Sequence, residues 1–308
     1  LSAIGLISFS QVVLDSIPDG PGYTYIASPA GTGPFPAVLY NHGGLGTAVG
    51  GDLRGTVVAL AQAGYIARAE KRMETIPMTG HLDEVKAALD SLRADPRTDT
   101  SCVSILGFSR GGLLSLQAAK SQHDKINAVI SMAPASANGQ LASTLADVSP
   151  IDDPVMILVA NNDSFQDDHV ALAHMVFDSL TAGGKTATIN IYPDYDSNGD
   201  SVINSLDDGH NLFFIVQEPY WSDVITFLNA NSCGLTDLNK ADEKTKQISV
   251  FPNPFSDKTT IRFSKPEHKR AHLRVFNMHG QALKVIDDIR EDLVILEKEQ
   301  LCPGLYFF

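Results

Sequence analysis

The stretch Val103-Ser104-Ile105-Leu106-Gly107-Phe108-Ser109-Arg110-Gly111-Gly112-Leu113-Leu114 decides the fold. Its first four residues are β-prone, and the run from Leu113 to Lys120 reads as helix. A strand, a Gly-x-Ser-x-Gly turn and a helix, in that order, form a strained turn that exposes a serine hydroxyl. So sharp a turn needs small residues around the serine, and Gly107 and Gly111 supply them. The helix start behind Ser109 offers unpaired N–H groups and a positive dipole end to a developing anion. The competing reading is a plain structural turn that carries a serine by chance. The flanking strand and helix favour a nucleophile.

Strands and helices alternate on both sides of this stretch. Residues 12–17 and 23–28 read as strands joined by a Pro/Gly turn. Residues 37–40 form a buried strand that runs into Asn41-His42-Gly43-Gly44, and 65–69 the next strand. Leu82, Val85, Leu89 and Leu92 recur at helical spacing, which predicts an amphipathic helix ending near Asp95-Pro96. Further strands are expected at 128–132, 154–160 and 187–192, and helices at 53–63, 170–180 and 219–230. The alternation predicts an α/β fold, a mostly parallel sheet with helices on both faces. Residues 133–150 are expected to add at most a small cap.

The 308 residues suffice for one large domain and a small one. A formal net charge of −13 and the lack of a basic patch argue against nucleic acid and anionic membranes as partners. No run is long enough for a transmembrane helix. Residues 1–11 are apolar with small side chains. They read as the end of a secretory signal peptide cut at Gln11, or else as an edge strand. The charged start of such a peptide is expected to precede Leu1. The three cysteines, Cys102, Cys233 and Cys302, lack zinc-site spacing. Cys102 precedes the Ser109 strand at one rim of the sheet, and Cys233 follows the last helix, which returns to that rim. A Cys102–Cys233 disulfide is expected in an exported chain, with two free thiols as the alternative.

A serine nucleophile needs a base, an acid to orient the base, and N–H donors for the oxyanion. On such a sheet they follow in the order Ser, Asp or Glu, His, on loops at the carboxyl ends of strands. Asp163 directly follows the 154–160 strand and is the expected acid. Asp167 and Asp168 read as the start of the next helix, and Asp152 and Asp153 lie at the wrong end of the strand. His210, between the last strand and the last helix, is the expected base. His169 and His174 fall on a helix and read as surface or partly buried, and His81 precedes Ser109. The oxyanion donors are expected to be the backbone N–H of Arg110 and that of Gly44 or Leu45, with His42 bracing their loop. Phe108, Arg110, Met73, Met78 and Phe165 are candidates for the pocket wall, or for core and surface.

Through Asn41-His42-Gly43-Gly44, Gly107-Phe108-Ser109-Arg110-Gly111-Gly112, Asp163 and His210, residues 12–232 resemble the α/β-hydrolase superfamily, most closely its dienelactone-hydrolase branch. That branch uses a cysteine nucleophile. Ser109 stands in its place here, so the resemblance implies hydrolysis of esters, or of amides, rather than lactone opening. No organic cofactor is expected.

Between strand and base runs Asp196-Ser197-Asn198-Gly199-Asp200-Ser201-Val202-Ile203-Asn204-Ser205-Leu206-Asp207. Asp196, Asn198, Asp200, Asn204 and Asp207 carry oxygens at the spacing of an EF-hand loop, and Val202 would add a backbone carbonyl. The stretch resembles the loop of dockerin repeats, although Ser201 stands where glycine is usual. A structural Ca2+ beside His210 is expected; an acidic solvated loop is the alternative.

Composition shifts after Ser232. Residues 233–247 are polar and charged and read as a linker. Residues 248–308 alternate short strands, at 259–263, 271–276 and 282–286, with turns, which predicts a small β-sandwich. Val250-Phe251-Pro252-Asn253-Pro254, Val275-Phe276-Asn277-Met278-His279-Gly280 and Pro303-Gly304-Leu305-Tyr306 resemble the C-terminal sorting domain of the type IX secretion system. The resemblance implies export by way of the periplasm, the secretion machinery as partner, and one more strand beyond Phe308; a carbohydrate-binding sandwich is the alternative. The expected function is a secreted serine hydrolase of small-molecule or polymeric carboxylic esters. The alternatives are a serine peptidase on the same triad and a calcium-dependent surface-binding protein with an inactive hydrolase fold.

Overall fold

A computed structural model of the chain describes residues 12–19, 22–199, 208–232, 248–251, 258–263, 271–276, 282–289 and 293–298. Contacts divide the chain into two units, Leu1–Thr236 and Asp237–Phe308. The expected signal segment 1–11 and linker 233–247 lie outside the described residues.

The first unit is built on an eight-stranded sheet in the order β1-β2-β4-β3-β5-β6-β7-β8. Its strands are β1 (Val12–Asp19), β2 (Gly22–Pro29), β3 (Phe35–Asn41), β4 (Ile66–Glu70), β5 (Thr98–Phe108), β6 (Ala128–Met132), β7 (Val155–Ala160) and β8 (Ala187–Tyr192). Strands β3 to β8 pair in parallel, and β1 and β2 form an antiparallel hairpin on β4. The sheet is therefore mostly parallel, as the alternation predicts.

Successive strand residues face opposite sides. Val103 and Ile105 of β5 enter one core, with Leu39, Ile157 and Val159. Leu106 and Phe108 enter the other, with Val38, Tyr40 and Leu158. Helices α2 (His81–Ala94), α3 (Arg110–Ser121), the short α4 (Gln140–Leu145) and α5 (His169–Ala182) supply the first core through Val85, Leu89, Leu113, Leu116, Leu141, Val176 and Leu180. Helices α1 (Leu53–Gln62) and α7 (Tyr220–Asn231) cover the second face through Val57, Leu60, Val224 and Leu228. Between β8 and α7 lies a one-turn helix, α6 (Asp208–Asn211). The carboxylate of Asp168 caps α5 by accepting the Ala171 N–H at 2.9 Å, the role its position in sequence suggests.

In the second unit, β9 (Ile248–Phe251), β10 (Lys258–Phe263) and β13 (Leu293–Glu297) make an antiparallel sheet, and β11 (Ala271–Phe276) pairs with β12 (Ala282–Ile289). Ile261 and Leu296 from the first sheet and Leu273, Val275 and Ile289 from the second share one core. Pro252-Asn253-Pro254, Asn277–Gly280 and Pro303–Tyr306 lie outside the described residues.

Leu89 is fully buried between α2 and the sheet. Leu89→Ala is expected to lower unfolding free energy by about 2–5 kcal/mol, read from urea denaturation.

Candidate active site

Ser109 joins β5 to α3 with φ 55° and ψ −116°, in a region that side chains other than glycine rarely occupy. Its N–H donates to Met132 O at 2.8 Å, and its carbonyl accepts from Leu113 N–H at 3.2 Å and Ala135 N–H at 3.1 Å. The strained residue is thus pinned to β6 and to the loop beyond it. A Cβ on Gly107 would sit 2.1 Å from Gly111 O, and one on Gly111 would sit 2.0 Å from Asn41 O. Both glycines are demanded by space. Asn41 Nδ2 donates to Ser115 Oγ at 3.1 Å, which ties the end of β3 to α3.

The loop after β3 crosses in front of Ser109. A Cβ on Gly43 would lie 3.0 Å from Ser109 Cβ. Gly44 has φ +78°, and a side chain there would meet Ala48 O at 2.3 Å. The N–H groups of Gly44 and Leu45 make no backbone hydrogen bond among the described residues. As the first residue of α3, Arg110 has no intrahelical partner for its own N–H. Behind this loop His42 is buried: its Nδ1–H donates to Gly43 O, and its Nε2 accepts the Arg72 N–H at 3.0 Å. The Arg72 guanidinium, also buried, donates through Nη2 to His42 O at 2.7 Å. Burial, with the Arg72 charge beside it, pushes the His42 imidazole down to about 3, so the ring stays neutral.

Asp163 and His210 come together from separate loops. His210 Nδ1 lies 2.9 Å from Asp163 Oδ2 and 3.1 Å from Oδ1, and both side chains are buried. The loops interlock behind them. Asn162 Nδ2 donates to Tyr195 O at 2.8 Å, and Asn162 Oδ1 accepts the Tyr195 N–H at 2.9 Å. A Cβ on Gly209 would lie 2.5 Å from Asp163 N, so only glycine lets α6 bring His210 this near. Asp208, fully buried, accepts from the N–H and Oγ of Ser197 at 3.2 and 2.6 Å, which anchors α6 to the preceding loop.

His169 is buried at 3% exposure, where helical position alone suggests a surface or partly buried residue. Its ring lies 4.6 Å from that of His210, and Phe165 stacks on His210 at 4.9 Å. Burial lowers the His169 pKa, against the opposing pull of Asp163. Ligand atoms of Asp163, His169 and His210 all lie within 4.8 Å of one another, so the trio could hold a metal ion. Such an ion would have to replace the Asp163–His210 hydrogen bond.

Ser109, His210, Arg110, Gly44 and Leu45 all line one cleft of about 500 Å³, and Phe108, Phe165, Phe214 and Asp167 add to its walls. Ser109 Oγ makes no hydrogen bond to His210 among the described residues; such bonds often close only when substrate binds. Met78 belongs to the core and Met73 is exposed, so neither forms the cleft wall. In the candidate calcium loop, Asp196 Oδ1 accepts the Gly199 N–H at 2.8 Å, and Asn198 is also described. Asp200, Val202, Asn204 and Asp207 lie outside the described residues. Cys102 is buried, and Ser232 Oγ at the end of α7 lies 3.0 Å from Ser104 Oγ, so helix end and strand meet at one rim. Cys233, and with it the expected disulfide, lies outside the described residues.

The depressed His42 pKa has a consequence for stability. Above 6.5, the ordinary histidine value, folded and unfolded chains both keep this ring neutral. Below it the unfolded chain takes a proton that the folded site refuses until about 3, so stability falls with pH across that window. One refused proton steepens the fall by up to about 1.4 kcal/mol per pH unit. His42→Asn is expected to flatten the dependence of unfolding free energy on pH between about pH 6 and pH 4.

The dienelactone hydrolase family model matches residues 66–198, and that of the secretion system C-terminal sorting domain matches residues 249–308. Comparison with curated protein sequences finds no match. Among solved structures, a candidate dienelactone hydrolase from Klebsiella pneumoniae is similar with a TM-score of 0.51 at 18% identity, over 71% of this chain and 98% of the other. Esterase B from Lactobacillus rhamnosis is similar with a TM-score of 0.54 at 15% identity, over 74% and 89%. Dipeptidyl peptidase 4 of Porphyromonas gingivalis gives 0.53 at 15% identity, over 72% of this chain and 36% of that larger one. At these identities the likeness is one of fold. No helix among the described residues is long and apolar enough to cross a membrane. The chain thus has an α/β-hydrolase fold whose residues 66–198 match the dienelactone hydrolase family, followed by a type IX secretion C-terminal sorting domain, and together these support a hydrolase marked for secretion or the cell surface.

Proposed function

We propose that the protein hydrolyses carboxylic esters through Ser109, His210 and Asp163. The observation that carries this reading is the buried Asp163–His210 bond of 2.9 Å beside a serine held at φ 55° on the wall of the same cleft. Ser109 Oγ attacks the acyl carbon and passes its proton to His210 Nε2. Asp163, bonded to Nδ1, fixes the tautomer that leaves Nε2 free to accept. The N–H groups of Arg110 and of Gly44 or Leu45 hold the oxyanion. His210 then gives the proton to the departing alcohol, and water repeats the sequence on the acyl-enzyme. The sorting domain supports export by way of the periplasm, with the secretion machinery as partner.

Ser109→Ala is expected to lower turnover of p-nitrophenyl acetate by at least about a thousandfold and to abolish phosphonate labelling, with the fold unchanged by circular dichroism. Labelling that persists in Ser109→Ala would sink the mechanism. A panel of esters of graded acyl length beside matched peptide amides tests the substrate class.

We also infer that a Ca2+ ion organises residues 196–207. Support comes from the oxygen spacing and from the bonds that tie Ser197 to Asp208, next to the helix turn that bears His210. The ion would be held by Asp196, Asn198, Asp200, Asn204, Asp207 and the Val202 carbonyl, and its charge would relieve repulsion among the carboxylates. Removal by EDTA is expected to lower the melting temperature by several degrees, with recovery on adding Ca2+ but not Mg2+. A melting curve indifferent to chelator and to added Ca2+ would remove the ion from the account.

A further inference from the structure

Four observations converge on a residue outside the proposed triad. The His169 backbone N–H donates to Asp163 O at 3.1 Å. Its ring Nε2–H donates to Phe165 O at 2.9 Å. The residue therefore closes the acid loop twice, once from the backbone and once from the side chain. Phe165, held by that second bond, stacks on His210 at 4.9 Å with an interplanar angle of 25°. The His169 ring itself packs on His210 at 4.6 Å.

The remaining ring atom is informative. With the proton on Nε2, His169 Nδ1 is left as an acceptor, and it is buried without a hydrogen-bond partner. An unsatisfied buried acceptor is destabilising, and a phenylalanine of similar size would avoid it. What phenylalanine would lose is the donor to Phe165 O. His169 Nε2 is also 4.0 Å from Asp163 Oδ1, beyond hydrogen-bond range, so it does not compete with His210 for the carboxylate.

We propose that His169 is a positioning residue for the proposed base: it fixes the acid loop and, through Phe165 and its own ring, restrains the His210 imidazole so that Nδ1 stays on Asp163. The inference rests on the proposed ester hydrolysis. It acts on turnover, because the restrained group is the one that moves the proton. Misplacing a reacting group by about 1 Å costs on the order of a hundredfold.

His169→Phe keeps the ring and removes the donor; His169→Gln keeps a donor at the end of a side chain of similar reach. The Phe variant is expected to lose about tenfold to a hundredfold in kcat on p-nitrophenyl acetate, with KM changed less than about threefold. The Gln variant is expected to recover most of the loss. The downfield imidazole N–H proton signal of His210, the hydrogen shared with Asp163, is expected to broaden or shift in the Phe variant and to persist in the Gln variant. Should the Phe variant not fold, His169→Asn, whose shorter amide does not reach Phe165 O, replaces it with the same expected losses. Wild-type kcat in the donor-less variant, a change in KM alone, an unmoved His210 signal, or a loss that Gln does not recover would each overturn the proposal. Phosphonate labelling of the unmodified protein separates the two readings. No labelling at Ser109 removes the proposed function itself, whereas labelling with an indifferent His169 removes only this inference.

Discussion

Strand β5 and helix α3 approach so closely around Ser109 that no side chain fits at the crossing. Gly111 faces Asn41 O and Gly107 faces Gly111 O at distances that leave no space for a methyl group. Much of the site follows from that contact. The parallel register that sets Asn41 beside Gly107, and Gly107 beside Ser131, brings the ends of β3, β5 and β6 to one level. The loop after β3 can then pass in front of the serine, and Arg110, the first residue of α3, lines the same cleft. The strain at Ser109 is sustained by bonds to Met132, Leu113 and Ala135, each from a different direction.

The second half of the site depends on a different kind of constraint. Asp163 has a side chain without solvent exposure, and a buried carboxylate is tolerated only with hydrogen-bond partners. His210 is one such partner, and the Phe165 N–H, 3.4 Å from Oδ1, is another. The Asn162–Tyr195 pair and the bare backbone of Gly209 hold the two loops together, so the carboxylate and imidazole meet without relying on their own attraction to order the chain. Aromatic rings then surround the imidazole on several sides, with Phe108 at 4.7 Å joining Phe165 and His169.

The sheet and its order of loops were legible because strands with alternating faces, helices with a 3.6-residue period and Gly/Pro breaks leave local signals. Asp163 could be singled out because it stands just beyond a strand, and His210 because it lies between the last strand and the last helix. His169 could not. It occupies the first turn of α5, where nothing local distinguishes a residue facing solvent from one facing the loop of α6. Arg72 is hidden for a related reason: a guanidinium reads as surface, yet it is buried here with Nη2 donating to His42 O. Asn161-Asn162 reads as a strand end, yet Asn162 clasps Tyr195 from a neighbouring loop. The short β13 escapes notice because acidic residues crowd both its flanks, and only pairing with β10 defines it.

The Arg72–His42 brace gives the loop proposed to hold the oxyanion a history that precedes any substrate. Its backbone is fixed from behind by a neutral imidazole and a buried guanidinium, while the N–H groups of Gly44 and Leu45 make no backbone hydrogen bond among the described residues. Dipoles already oriented need no reorganisation when negative charge develops, whereas water or a mobile loop would have to turn toward it during the reaction. On the proposed mechanism, the ordering of these donors is met once, in folding, and is not repeated at each turnover.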